Sequence, residues 1–267
     1  MLILNNVSMN YGGRELFSEV TCTLQPKRRY GIVGANGCGK STLLRILSGE
    51  EAQSGGTVDV ANKGRIGFLK QDHFKYEHDL IVNVVLQGNP ILWEAMHEKE
   101  RLLQKLDLNE DDGMRLAHLE HIIAEQDGYV AETNAQHILS GLGIVESKHY
   151  EEMHILSGGF KLRVLLAQTL FSQPDILLLD EPTNDLDVET LRALEEALLN
   201  FPGCAMVISH DRWFLDRVVT HILAFEGDSK VHWFTGNYTE YEQDRLSKLG
   251  QDALQPHRVE YQHEPTN

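Results

Sequence analysis

The chain contains no run of roughly 18 or more apolar residues, the length that reads as a bilayer span. Its most apolar stretches, Ile176-Leu-Leu-Leu179 and Ala205-Met-Val-Ile208, have only strand length. The start, MLILNNVSMN, lacks the basic and apolar regions of a cleavable export signal. Cysteine is scarce too. Cys22, Cys38 and Cys204 are odd in number and far apart, and no CxxC occurs. That argues against a disulfide framework or a thiolate zinc site and fits a reducing compartment. The expected location is the cytoplasm. Basic residues are outnumbered, 24 Lys and Arg against 40 Asp and Glu, for a net charge of −16. Such a surface repels phosphate backbones at long range, so no direct DNA binding is expected. What remains is ordinary: 42% hydrophobic and 24% charged residues over 267 positions, enough for one large domain or a domain with an appended subdomain.

Patterning along the chain points to an α/β fold. Short strands are expected at Leu2–Leu4, Leu16–Phe17 and Val20–Leu24, with Tyr11-Gly12-Gly13-Arg14 as a turn. A strand at Tyr30–Val33 leads into a glycine-rich loop and a helix from about Lys40 to Leu47, stopped by Gly49. Strands at Thr57–Val60 and Arg65–Leu69 follow. From about 78 to 155 the texture is helical. Leu92, Met96, Leu103 and Leu106 mark one stripe, and Leu116, Leu119 and Ile123 another. Asn109, with Glu110, Asp111 and Asp112 behind it, reads as a helix start. Gly141 closes a third helix. Alternation then resumes: helix 158–171, strand 176–180, helix 188–199, strand 204–209, helix 211–218. A hairpin around Gly227-Asp228 and a helix from Tyr238 complete the pattern.

Gly34-Ala-Asn36-Gly37-Cys38-Gly39-Lys40-Ser41 fits GxxxxGK[ST] between a strand and a helix. The glycines let successive N–H groups face phosphate oxygens, and the helix N-terminus adds partial positive charge. Lys40 is expected at the β- and γ-phosphates, Ser41 on Mg²⁺ and Thr42 beside the α-phosphate. Cys38 reads mainly as a small loop residue; the sharper alternative is a thiol of low pKa. Ile176 to Asp180-Glu181 is an apolar strand ending in two carboxylates, which is costly without a cation or proton donor. Asp180 is expected on Mg²⁺ and Glu181 at the attacking water.

Further motifs carry a resemblance. Leu156-Ser157-Gly158-Gly159 opens a helix about twenty residues before the acidic strand, in the order of an ATP-binding-cassette (ABC) signature. Gln71 resembles the Q-loop glutamine, Asp185-Leu186-Asp187 the D-loop, His210 the switch histidine, and Tyr11 the aromatic that stacks on adenine. The strings from Leu177 to Asp187, Ser209 to Leu215 and Gly236-Asn237-Tyr238 are more specific and resemble the ABC-F family. The resemblance implies a P-loop NTPase cassette with an antiparallel β subdomain and a helical subdomain at about 72–155. That helical segment exceeds the roughly 50–60 residues expected of a transporter domain, and the surplus near 85–135 is similar to an ABC-F arm.

Several functional expectations follow from the family. ATP and Mg²⁺ are the cofactors, with the cation on Ser41, Gln71 and Asp180. Glu181 is the general base, assisted by His210 and Gln71. Ser157, Gly158 and Gly159 grip the γ-phosphate of ATP held by a second cassette. That second cassette is supplied by a homodimer or by another half of the same protein, and the ribosome is the expected target. A membrane permease is the alternative partner, and a truncated non-catalytic module the third reading. The resemblance covers about 1–247, with 248–267 a polar tail where an inter-cassette linker would begin. Phe160 departs from the Gln or Glu usual after the signature glycines, so altered interface packing is expected there. His118 and His121 share a helix face but lack a completing ligand, and read as a solvated face.

Overall fold

The two central strands explain the architecture. In the computed structural model, β6 (Ile176–Asp180) and β7 (Cys204–Ile208) are buried along almost their whole length. Their side chains alternate between two cores. Leu177, Leu179, Ala205 and Val207 belong to one; Ile176, Leu178, Cys204, Met206 and Ile208 belong to the other. Continuous apolar runs are what a sheet covered on both faces requires. The description covers residues 1–61, 64–69, 76–105, 107–184, 186–227 and 229–249.

These strands sit in a six-stranded sheet ordered β5-β6-β7-β3-β8-β9. It comprises β3 (Arg29–Gly34), β5 (Ile66–Leu69), β6, β7, β8 (His221–Gly227) and β9 (Lys230–Thr235). All neighbours are parallel except β8 and β9, which form the expected hairpin. Asp228 lies outside the described residues. On one face lies α1 (Lys40–Ser48), with Leu43, Leu44, Ile46 and Leu47 buried alongside a second, antiparallel sheet, β2-β1-β4. That sheet contains β1 (Leu2–Tyr11), β2 (Arg14–Leu24) and β4 (Gly55–Val60). Helix α1 ends at Gly49 (φ 80°), where the amides of Gly49 and Glu50 bond back to Ile46 and Arg45.

On the other face lie α6 (Gly158–Phe171), α7 (Val188–Asn200) and α8 (Arg212–Val218). Between β5 and α6 come α2 (Ile81–Leu86), α3 (Pro90–Leu103), α4 (Glu110–Glu125), α5 (Gly128–Gly141) and two short 3-10 turns, Glu146–Lys148 and Met153–Ile155. Helix α9 (Tyr238–Leu249) closes the described chain.

Several expectations are corrected. The first strands are long, not short. Register shifts after Leu4, and the left-handed residues Asn6 (φ 51°) and Glu19 (φ 54°), break the period-2 pattern without ending the strands. Leu103 is 56% exposed and does not extend the Leu92–Met96 stripe, and Leu106 lies outside the described residues. Helix α5 does end at Gly141, as expected, and a left-handed residue, Gly143 (φ 80°), follows it. The start of α4 is as expected. The Asn109 side chain accepts from the Asp112 amide (2.8 Å) and Asp112 accepts from the Asn109 amide, so these acids form a capping box.

Candidate active site

Three loops leave the carboxyl ends of β3, β7 and β6, which are neighbours in the sheet although β6 follows β3 by a long stretch of chain. Such a crossover point is where open α/β sheets hold ligands. The loop after β3 wraps the start of α1. Gly34, Gly37 and Gly39 have φ of 148°, 76° and 104°, a region other residues enter at a cost. At Gly34 a Cβ would also lie 2.7 Å from Phe225, and at Gly39 2.9 Å from Phe17. The buried Lys40 ammonium donates to the carbonyls of Gly34 (3.0 Å) and Ala35 (2.9 Å), so its charge sits inside the loop. Asn36 and Gly37 are exposed at the tip, while Thr42 is buried behind it. Burial pushes the Cys38 thiol up, against the lowering influence of Lys40. Desolvation thus works against the thiolate alternative and favours the reading of Cys38 as a small loop residue.

Helix α1 carries Ser41 across to β6, where its hydroxyl donates to Asp180 Oδ1 at 3.0 Å. Burial pushes the Asp180 carboxyl above its ordinary range, with Glu181 adding in the same direction and Ser41 opposing. Glu181 takes a left-handed conformation (φ 48°), anchored by its amide donating to Ile208 O at 3.0 Å. A strained non-glycine residue at a strand end is a feature of functional turns. Its Oε1 lies 3.4 Å from His210 Nε2, and its Oε2 accepts from Asn184 at 2.8 Å. The Thr183 and Ser209 hydroxyls meet at 2.7 Å, and Ser209 also accepts from the Asp211 amide, so the β6 and β7 loops are tied together.

Tyr11 ends β1, pairs with Arg14 across the hairpin and is 47% exposed. Arg14 Nη2 reaches to 3.5 Å from Gly37 O, which brings the hairpin to the tip of the loop. Gln71 and Asp185 lie outside the described residues. Ser157 caps α6 by position only: it is exposed and its side chain bonds no amide of the helix. Gly158 has open space where a Cβ would be, whereas a Cβ on Gly159 would meet Asp187 and Thr190 at 2.8 Å. The structure thus brings Lys40, Ser41, Asp180, Glu181 and His210 together at the carboxyl ends of β3, β6 and β7, and sets Ser157 and Gly158 facing outward at the start of α6.

A family model described as "ABC transporter" matches residues 17–184. The chain belongs to this family; it is an ATP-binding cassette. It is 45% identical over 255 residues to the uncharacterized ABC transporter ATP-binding protein YkpA of Bacillus subtilis, a match covering 95% of this chain and 47% of that protein. It is 39% identical over 261 residues to the energy-dependent translational throttle protein EttA of Escherichia coli, covering 98% of this chain and 41% of that one. The cassette therefore spans less than half the length of these curated relatives. EttA is an ABC-F protein, which bears out the resemblance. Among solved structures, a nucleotide-free ATP-binding cassette from an ABC transporter superposes with a TM-score of 0.70 at 18% identity, covering 93% of this chain and 96% of that one. That likeness shows the fold.

Motif reading of the cassette left some supports without a role. Arg163 is buried. Its guanidinium donates to Thr190 Oγ1 (3.1 and 2.9 Å) and Leu142 O (3.2 Å), with Asp187 at 4.0 Å. It also lies over the Phe160 ring, 4.7 Å from the centroid. Phe160 thus packs inward, onto the arginine that ties α6 to α7 and to the end of α5. Arg163 follows the signature in sequence, but only its burial reveals the tie. Thr183, Asn184 and Ser209 stood inside quoted motifs with no bond assigned.

Proposed function

We propose that this cassette binds Mg-ATP and hydrolyses it at an interface with a second cassette, and that the cycle acts on translation. The observation that carries the reading is the gathering of Lys40, Ser41, Asp180, Glu181 and His210 at the carboxyl ends of β3, β6 and β7. The loop amides and Lys40 hold the phosphates, Thr42 lies beside the α-phosphate, and Tyr11 stacks on the base. The residues fit a magnesium ion. Ser41 and Asp180 offer two hard oxygens 3.0 Å apart, and the desolvated Asp180 carboxyl calls for a compensating positive charge. Gln71 is the further expected ligand. Bound there, the ion neutralises charge on the phosphate oxygens. Glu181 polarises the attacking water, and His210 positions that water and the γ-phosphate.

The second cassette supplies what this one presents but does not use. The outward Ser157 and the open space at Gly158 support a γ-phosphate held by the partner's equivalent turn. The cassette domain is taken as 1–247. Its arm is taken as the surplus within 72–155, where Leu108 and Met114 are exposed. The name of EttA, an energy-dependent translational throttle protein, supports an energy-dependent action on translation; the ribosome as partner and the cytoplasm as location belong to the same proposal.

Glu181→Gln tests the reading. With saturating Mg-ATP the variant sediments as a dimer and co-pellets with ribosomes, while its turnover falls at least a hundredfold. A variant that stays monomeric under those conditions overturns the pairing. One that dimerises and captures a membrane permease in place of ribosomes overturns the translational assignment alone.

A further inference from the structure

The segment ahead of α2 and the 3-10 turn ahead of the signature are joined by a short backbone ladder. Leu80 bridges Glu152, the Met153 and His154 amides donate to Asp79 O (3.0 Å) and Glu77 O (2.9 Å), and the Ile81 amide donates to Glu151 O (2.9 Å). This ladder brings His78 beside Glu152 and His154, which are distant from it in sequence but close to each other. His78 Nδ1 lies 3.4 Å from Glu152 Oε2, and His154 Nδ1 lies 3.0 Å from the same oxygen. The ligand atoms of all three fall within 4.8 Å of one another, the only such group among the described residues. Glu77, the neighbouring carboxylate, is held by Lys161 at 2.7 and 2.9 Å.

We propose that His78, Glu152 and His154 form a site for a divalent transition metal of the zinc class, with a fourth position open to solvent. Tetrahedral zinc with bonds of about 2.0–2.2 Å sets neighbouring ligand atoms roughly 3.3–3.5 Å apart. The His78–Glu152 separation of 3.4 Å already matches; the His154–Glu152 one of 3.0 Å must open by a few tenths of an ångström, and the exposed imidazoles have room to turn onto an ion. Two imidazoles and one carboxylate favour zinc, nickel or copper over magnesium and calcium, so the site is chemically distinct from the one beside the phosphate loop. The ladder fixes the backbone of the ligands before any ion arrives. Occupancy staples the turn that ends two residues before Ser157 to the segment leading into α2.

Zinc is titrated into the full chain without nucleotide, against a chromogenic chelator and in millimolar magnesium. One equivalent is expected to bind. His78→Gln and His154→Gln are each expected to weaken binding about tenfold or more, while His121→Gln leaves it unchanged. Cobalt is expected to give visible bands without a thiolate charge-transfer band. Zinc is expected to slow hydrogen exchange at the Met153 and His154 amides. Because the His78 side chain is 89% exposed, His78→Gln keeps its fold, which circular dichroism verifies. Affinity within about twofold of wild type in both histidine variants, a thiolate band with cobalt, or displacement by magnesium overturns the proposal. Two imidazoles merely hydrogen-bonded to one carboxylate would produce the first of these results.

Discussion

Two glycine-rich helix starts in this cassette invite comparison, because they share a motif chemistry and differ in almost everything else. At the start of α1, three glycines have positive φ, two of them abut side chains, and the Lys40 ammonium is folded into the loop. At the start of α6, neither glycine has a positive φ. Gly159 makes room for Asp187 and Thr190, whereas a Cβ on Gly158 would meet nothing within 4 Å. The phosphate loop needs glycine for its own backbone. The signature turn needs it first for internal packing, and then for a space nothing in the described chain fills. One half of the proposed site is self-contained; the other is built toward an outside partner.

The largest expected effect tests the self-contained half. Gly34→Ala combines an unfavourable φ with a 2.7 Å contact to Phe225, and is expected to cost about 3 kcal/mol or more in chemical denaturation. Nucleotide binding is lost with it. A fully stable Gly34→Ala cassette would break the contrast from that side.

Gly158→Ala tests the other half. Tm and nucleotide affinity should stay at wild-type values, while turnover falls on the order of a hundredfold through misplacement across the interface. Parallel losses of stability and turnover would show that Gly158 also serves its own fold.

Arg163→Ala asks what holds the signature helix in place. It leaves Leu142 O and Thr190 Oγ1 short of a donor in a buried setting, with an expected loss of about 2 kcal/mol in urea denaturation. Asp187 is 55% exposed at its side chain, which keeps the loss below that of a fully buried pair. Arg163→Lys recovers only part of it, since a single ammonium cannot reach both acceptors in the same fork.

The smallest effect concerns Asp180. Burial raises its carboxyl, so the folded chain keeps this proton to higher pH than the unfolded chain does. Stability contributed by the group therefore falls as pH rises from the ordinary carboxylate range through the raised folded value. Asp180→Asn is expected to raise the nucleotide-free Tm by about 2 °C at neutral pH, with the gain vanishing in acid. Magnesium-dependent stabilisation by nucleotide disappears in the same variant. A Tm gain that persists at low pH would point to packing in place of charge.

Legibility in the sequence followed the range of the interactions. Gly34 to Ser41, the β6 and β7 runs and the Asn109–Asp112 capping box depend on residues a few positions apart, so periodicity and turn chemistry revealed them. The full length of β1 and β2 was hidden by bulges at Asn6 and Glu19, where pairing continues though the alternation fails. Leu103 shows the reverse: its helical spacing was right, but no core lies opposite it.

The sequence by itself determined the α/β order, the phosphate loop, the acidic strand end and the family, because each is written in contiguous residues. Only the tertiary structure decided that Ser41 meets Asp180 and Glu181 meets His210. It alone made Arg163 a buried tie beneath Phe160, and it alone joined His78 and His154 at one carboxylate. Those pairs depend on the order of strands in a sheet and on a bridge between distant segments. Such contacts are set by which faces bury together, and no local spacing encodes them.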